Sequence, residues 1–373
     1  MPSFSEYSLL PTLLETLGEL GLKRPTEIQA ATIPPQLKGR SVLGVAETGS
    51  GKTLAYVLPV LHQLKTLENE GDAVEVAGRP RGVVLVPGRE LGAQVVKVFK
   101  SLTHGTRLRV RSVLGGTKKQ IARQNVGGLF EVLVATPGRL AQFLDSGELK
   151  LDDVRVVVFD EADQLLDPGF LPIARRVVRE CPRQARLAMF AATLAQALDD
   201  VARELFAEEP HRVRTRGSRK ALPTLRTDNR VVGKGQRFAT LRKVLAEGRS
   251  TGALLFANTR AQCEAIAEWL DEEGLPYVTY MGEMDSKVRR ANLDAFRRGD
   301  VDLLVATDLG GRGLDIDRVE RVINVHLPKG LDNYRHRAGR TARAGRPGLV
   351  VNLVTERDKP LLELLELREP KRR

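Results

Sequence analysis

Apolar residues in this chain gather into short unbroken runs, each closed by a polar or glycine-rich turn. In the first half the runs are SVLGV (41–45), GVVLV (82–86), VRSVL (110–114), EVLVA (131–135), VRVVVF (154–159) and RLAMF (186–190). Between them, the stretches from Leu54 to Leu67 and from Leu91 to Leu102 repeat their apolar positions at helical spacing. Continuous valine and leucine runs alternating with helices predict strands buried on both faces, hence a mostly parallel sheet flanked by helices. The second half repeats the scheme with GALLF (252–256), PYVTY (276–280), VDLLVA (301–306), RVINV (321–325) and GLVVNLV (348–354). Helical stretches from Ala261 to Glu273 and from Lys287 to Arg297 intervene.

A length of 373 residues suits two such α/β domains better than one. The stretch from Glu208 to Arg226 is rich in Arg, Lys, Pro and polar residues and shows no clear period. It reads as a linker. The predicted boundaries are a first domain over 1–210, a linker over 211–225 and a second domain over 226–373 that ends in a short basic tail. A polar insertion from Glu68 to Arg81 separates two elements of the first domain. The strings EVLVATPGRL (131–140) and DLLVATDLGGRGL (302–314) both run from a strand through Val-Ala-Thr to an arginine, an echo that suggests duplication.

A net charge of +12 points to a polyanionic partner, nucleic acid being the commonest, or to an arginine-rich solvated surface. Cys181 and Cys263 stand far apart without metal-ligand spacing, so they read as reduced thiols of a cytoplasmic protein. The first residues carry neither a basic segment nor an apolar core of the secretory kind, and no run of 18 apolar residues occurs. No membrane span is expected.

Three motifs carry the chemistry. Ala46-Glu47-Thr48-Gly49-Ser50-Gly51-Lys52-Thr53 follows an apolar strand and opens a helix. That is the setting of a phosphate-binding loop, in which backbone N–H groups and the helix N-terminus receive negative charge. Lys52 would reach the outer phosphates and Thr53 would ligate Mg2+. Ala46 stands where the strict pattern has its first glycine. The second motif, Asp160-Glu161-Ala162-Asp163, ends a buried strand, where ligands of open α/β sheets bind. Asp160 would hold Mg2+ and Glu161 would orient or deprotonate the attacking water. The third, from Tyr334 to Arg343, packs Arg335, His336, Arg337, Arg340 and Arg343 into ten residues. It reads either as an exposed basic patch or as arginine fingers that stabilise charge on a transferred phosphoryl group.

This ordered set resembles the DEAD-box family of superfamily 2 helicases over essentially the whole chain, from Phe4 to about Val354. The resemblance implies two tandem RecA-like domains and ATP and Mg2+ at the first. It implies a nucleotide-binding set of Phe4, Leu22, Gln29, Thr48, Gly49, Ser50, Gly51, Lys52, Thr53, Asp315, Arg340 and Arg343. Gln29 belongs to the adenine-reading segment, where an amide can both donate to and accept from the base; Asp315 would hold the ribose. Lys52, Asp160, Glu161, Arg340 and Arg343 are implied as catalytic. RNA would meet Pro87, Arg89, Gly115, Gly116, Thr136 and Arg139 in the first domain, and Thr259, Arg289, Thr307 and Arg312 in the second. Glycine-rich loops with Arg and Thr side chains suit phosphate and ribose more than base edges, so the binding would be weakly sequence-specific. Asp163, Ala191, Thr193, His336 and Arg337 match positions that couple the domains.

The chain departs from the family pattern at several positions. Leu22 replaces an aromatic, Gly88 a hydroxyl residue, Ser286 a glutamine and Ala342 a glycine. Ala191 replaces the serine of a Ser-Ala-Thr motif, which puts the coupling of hydrolysis to unwinding in question. The expectation is an RNA-stimulated ATPase, ATP and water giving ADP and phosphate, that locally unwinds short RNA duplexes as a monomer. The alternative is an ATP-gated RNA clamp or ribonucleoprotein remodeller with weak unwinding.

Overall fold

The computed structural model describes residues 2–47, 49–117, 119–166, 169–193, 196–215, 225–247, 252–282, 284–308, 318–328, 330–342 and 347–366. The chain divides into two compact units, Met1–Ser218 and Arg219–Arg373. In the first unit lie β1 (Val42–Val45), β2 (Gly82–Leu85), β3 (Val110–Val113), β4 (Val132–Ala135), β5 (Val156–Asp160), β6 (Arg186–Ala191) and β7 (His211–Arg214). In the second lie β8 (Leu225–Val231), β9 (Ala253–Ala257), β10 (Tyr277–Tyr280), β11 (Leu303–Thr307), β12 (Arg321–Asn324) and β13 (Gly348–Val354).

Among the described residues the sheet orders are β3-β4-β2-β5-β6-β1-β7 and β10-β11-β9-β12-β13-β8, and every pairing is parallel. Taken in chain order, β8 to β13 occupy the same relative places as β1 to β6. The Val-Ala-Thr echo in the sequence therefore falls on equivalent strands, β4 and β11.

The central strands β1, β2, β4 and β5 are buried along their whole length because apolar side chains cover both faces. In the first sheet, Leu133, Phe159 and Met189 face one apolar core, while Val134, Val158 and Phe190 face the other. Each such buried side chain contributes about 1.5–3 kcal/mol relative to exposure. Gly44 is required within β1, because a Cβ there would stand 2.8 Å from the Phe190 ring and 3.2 Å from Ile28.

The linker expected over 211–225 is corrected at both ends. His211–Arg214 forms the edge strand β7, paired in register with Val42–Val45, and Leu225 begins β8, paired with β13. Both strands read as polar because they lie at sheet edges and alternate or expose most of their side chains. Charged residues on an edge also discourage pairing with other chains.

Candidate active site

In a parallel sheet all strands deliver their C-terminal ends to one edge, and neighbouring strands deliver neighbouring loops. The order β5-β6-β1 sets three expected loops side by side: 46–51 after β1, Glu161–Asp163 after β5 and 192–193 after β6. The phosphate loop leaves β1 with the Ala46 N–H donating to Ala191 O, 3.0 Å. Gly49 and Gly51 have φ of 82° and 90°, the left-handed region that favours glycine. Gly51 is the N-cap of the helix Lys52–Asn69. A Cβ at Gly51 would meet the Gln29 amide at 2.4 Å.

Gln29, expected to read adenine, is buried and ties its segment to this loop. Its Nε2 donates to Gly51 O at 3.0 Å, and its Oε1 accepts from Thr26 N–H at 2.9 Å. Leu22, expected beside it, is 40% exposed and so keeps an apolar face toward solvent. Phe4 requires a correction. Only 2% exposed, it packs in the apolar core against Tyr7, and its N–H donates to Lys23 O at 3.4 Å. It supports the segment from within and has no face left for a nucleotide.

Lys52 Nζ donates to Ala46 O at 2.7 Å and to Glu47 O at 3.0 Å. Its amine rests inside the curl of the loop where phosphates are expected. Burial lowers its pKa, opposed by the carboxylates of Asp160, Asp163, Glu161 and Glu47. Asp160 ends β5 fully buried. Its Oδ2 accepts from the Tyr56 phenol at 2.8 Å and its Oδ1 from Glu161 N–H at 2.9 Å. Burial and the neighbouring Glu161 push the Asp160 carboxyl up to about 6, while Tyr56 and Lys52 hold it down. Glu161 takes a φ of 49°, uncommon for a residue with a side chain, and its carboxylate accepts from the Gln164 amide. Strain of this kind concentrates at functional sites. Thr193 Oγ1 donates to Asp163 Oδ2 at 3.4 Å, and Ala191 is fully buried at the end of β6.

The other half of the edge, β3-β4-β2, carries the expected RNA residues. Pro87 and Arg89 follow β2, Gly115 and Gly116 follow β3, and Thr136 and Arg139 follow β4. Thr136 Oγ1 accepts from Gly115 N–H at 3.0 Å, which binds two of these loops together. Arg139 Nη2 donates to Thr117 O at 2.5 Å. In the second unit the described expected residues lie after β9, after β10 and at the end of β11, the strands equivalent to β2, β3 and β4. Thr259 caps the helix Arg260–Glu272 by accepting from Gln262 N–H at 3.2 Å. Arg289 Nη1 donates to Gly282 O at 2.9 Å with its guanidinium over the Tyr280 ring, and Thr307 ends β11. Thr48, Arg312, Asp315 and Arg343 lie outside the described residues.

Among the described residues Arg337, expected to bridge the domains, finds partners for its side chain in the second unit. It is 1% exposed. Its guanidinium binds both oxygens of Asp308, Asn258 Oδ1 at 2.7 Å, Asn324 Oδ1 at 3.1 Å and His326 O at 2.7 Å. Three residues later Arg340 Nε donates to His336 O at 3.1 Å.

Sequence reasoning passed over Tyr56 and Gln164, which hold the two site carboxylates. Tyr56 did leave a signal. It is a phenol inside the all-apolar stretch Leu54 to Val57, and a buried tyrosine hydroxyl needs a partner.

The arrangement matches known proteins throughout its length. The family model described as DEAD/DEAH box helicase matches residues 26–201, and that described as Helicase conserved C-terminal domain matches 236–345. The chain is 34% identical over 367 residues to ATP-dependent RNA helicase RhlB of Pseudomonas syringae pv. tomato, covering 97% of this chain and 91% of the relative. It is 36% identical over 366 residues to ATP-dependent RNA helicase SrmB of Escherichia coli K12, covering 96% and 80%. The solved structure of S. cerevisiae Dbp5 bound to RNA and ADP BeF3 is similar with a TM-score of 0.87 at 25% identity, covering 100% of this chain and 95% of that one. With family models matching both units and relatives 34% and 36% identical along nearly its whole length, the chain belongs to the DEAD-box family of ATP-dependent RNA helicases.

Proposed function

We propose that the chain hydrolyses ATP on the first unit and uses the reaction to grip and locally separate RNA strands. The observation that carries this reading is the convergence of Lys52, Asp160 and Glu161 from β1 and β5 onto one edge, beside the Gln29 segment. Gln29 selects the base, and the loop N–H groups with Lys52 bind the phosphates. Glu161 orients a water whose oxygen attacks the γ-phosphorus. The bond to the β,γ-bridging oxygen breaks, ADP keeps the electron pair, and the water's proton passes toward the Glu161 carboxylate. In this reading Arg340 and Arg343 supply positive charge to the leaving phosphoryl group.

The donor set fits Mg2+. Thr53 and Asp160 offer hard oxygens, and the buried Asp160–Glu161 pair has an excess of negative charge that a cation would offset. Among the described residues no group of three or more His, Cys, Asp or Glu could hold a metal. Magnesium, which is usually held by one or two protein ligands plus phosphates and water, does not require such a cluster. When bound through Thr53 and Asp160, it would neutralise phosphate charge.

RNA is the partner that fits the two sets of glycine-, threonine- and arginine-bearing loops, and Dbp5 is bound to RNA in its structure. No described helix is long and apolar enough to cross a membrane. One observation favours a second reading as an RNA clamp with weak unwinding. Ala191 has no hydroxyl, so Thr193 alone of the motif reaches Asp163 through its side chain.

Glu161→Gln tests the main reading. Turnover should fall by about 10²–10⁴, the range of a lost general base, while ATP-dependent retention of single-stranded RNA persists. Normal ATP turnover by this variant, measured as phosphate release, would overturn the assignment.

A further inference from the structure

Tyr56 lies one turn into the helix Lys52–Asn69, fully buried, with its ring 5.5 Å from that of Phe190. Asp160 and Phe190 are register partners on β5 and β6, so the helix sets this phenol directly over the end of the acidic strand. The hydroxyl donates to Asp160 Oδ2 at 2.8 Å. Asp160 Oδ1 is meanwhile fixed by Glu161 N–H at 2.9 Å. The carboxylate is therefore pinned at both oxygens.

We propose that Tyr56 is a positioning residue for magnesium, holding the Asp160 carboxylate as a preorganised oxygen donor. The inference rests on the reading that Asp160 and Thr53 hold Mg2+, and it assigns a role to a residue outside that pair. A carboxylate free to rotate would present its oxygens in several directions and lose affinity on being ordered. One fixed by a phenol and a backbone N–H presents the same remaining lone pairs every time. The rigidity comes from the covering helix, because Phe190 and the apolar neighbours of Tyr56 leave the ring no alternative place.

The test uses the full chain and a fluorescent ADP, titrated in Mg2+ and again in EDTA. In the native protein the ratio of the two affinities measures the metal's contribution. Tyr56→Phe should shrink that ratio about tenfold, the low end of the effect of losing an outer partner of a metal ligand. Affinity in EDTA should stay within twofold. An unchanged ratio, or an equal loss of both affinities, overturns the inference. A native ratio of one overturns the magnesium reading itself and the inference with it, which separates the two failures. If the variant does not fold, 3-fluorotyrosine placed at position 56 of the native chain supplies the readout. Its ¹⁹F resonance should move on adding Mg2+ with ADP and stay still on adding ADP in EDTA; a resonance indifferent to Mg2+ also overturns the inference.

Discussion

The guanidinium of Arg337 grips both carboxylate oxygens of Asp308 inside the second unit, with Nη2 2.8 Å from Oδ2. The arginine side chain is 1% exposed and that of Asp308 22%. Arg337 comes from the helix Leu331–Ala338 and Asp308 from the end of β11. Asn258 after β9 and Asn324 on β12 complete the cage, and the guanidinium lies 4.9 Å from the centre of the Phe256 ring. One cation thus ties together the C-terminal ends of three adjacent strands.

Removing one partner of a buried ion pair costs about 3–5 kcal/mol, because the other is left uncompensated. Arg337→Ala should therefore lower the stability of the second unit by that order. Arg337→Lys should rescue little, since an ammonium cannot bind a carboxylate with a fork and two amide oxygens at once. Denaturant unfolding followed by Trp269, which belongs to the second unit's core, measures the loss. A change within 1 kcal/mol for Arg337→Ala would remove the cage from the account of this unit.

His326 makes the second unit sensitive to acid. Its ring is half-buried after β12, and its Nδ1 has no hydrogen-bond partner among the described residues. Burial first, then Arg237 and Arg337, lowers its pKa to about 4, with Asp358 pulling the other way. In the unfolded chain the imidazole takes its proton near the ordinary 6.5. The unfolded state therefore binds more protons between about 6.5 and 4. Stability is whole above 6.5 and erodes as pH falls through that window. After discounting for the ring's partial exposure, the loss is about 2 kcal/mol. His62, also lowered by burial, acts in the same direction in the first unit. Asp160, raised to about 6, acts oppositely, because the folded state takes its proton first and gains on acidification. Comparing the wild type with His326→Asn between pH 7 and 4.5 isolates the ring. The wild type should lose about 2 kcal/mol more than the variant; parallel curves would show that this imidazole does not govern acid stability.

Chain pattern and chemistry were readable wherever burial dictates residue type. The central strands are apolar on both faces, and the phosphate loop and acidic strand end require particular residues at fixed spacing. β7 and β8 escaped because an edge strand needs little apolar surface, and Arg212, Arg214 and Arg226 look like linker charge until the pairing is seen. The burial of Arg337 escaped for a related reason. A cation in a basic stretch reads as a surface or bridging group, and the anion and amides that allow its burial lie between 13 and 79 residues away. Tyr56 and Asp160 are likewise 104 residues apart and meet only through the order of β1, β6 and β5.

Ala191→Ser tests unwinding against clamping. Ala191 ends β6 fully buried, on the face it shares with Met189 and Ala162, and its backbone O accepts from the phosphate loop at Ala46 N–H. A serine here would set a hydroxyl beside the acidic motif, on the strand whose next residues carry Thr193 to Asp163. A buried hydroxyl left without a partner costs about 1–3 kcal/mol, whereas one that finds an acceptor contributes about 0.5–1.5 kcal/mol. The two cases separate in stability as well as in function. If the missing hydrogen bond limits coupling, Ala191→Ser should keep or raise the melting temperature and increase duplex released per ATP hydrolysed, with ATPase turnover little changed. A fluorescent duplex-release assay run beside phosphate release gives that ratio directly. An unchanged ratio in a stably folded variant would mean that the hydroxyl is not what limits strand separation, and the clamp reading would lose the observation that favours it.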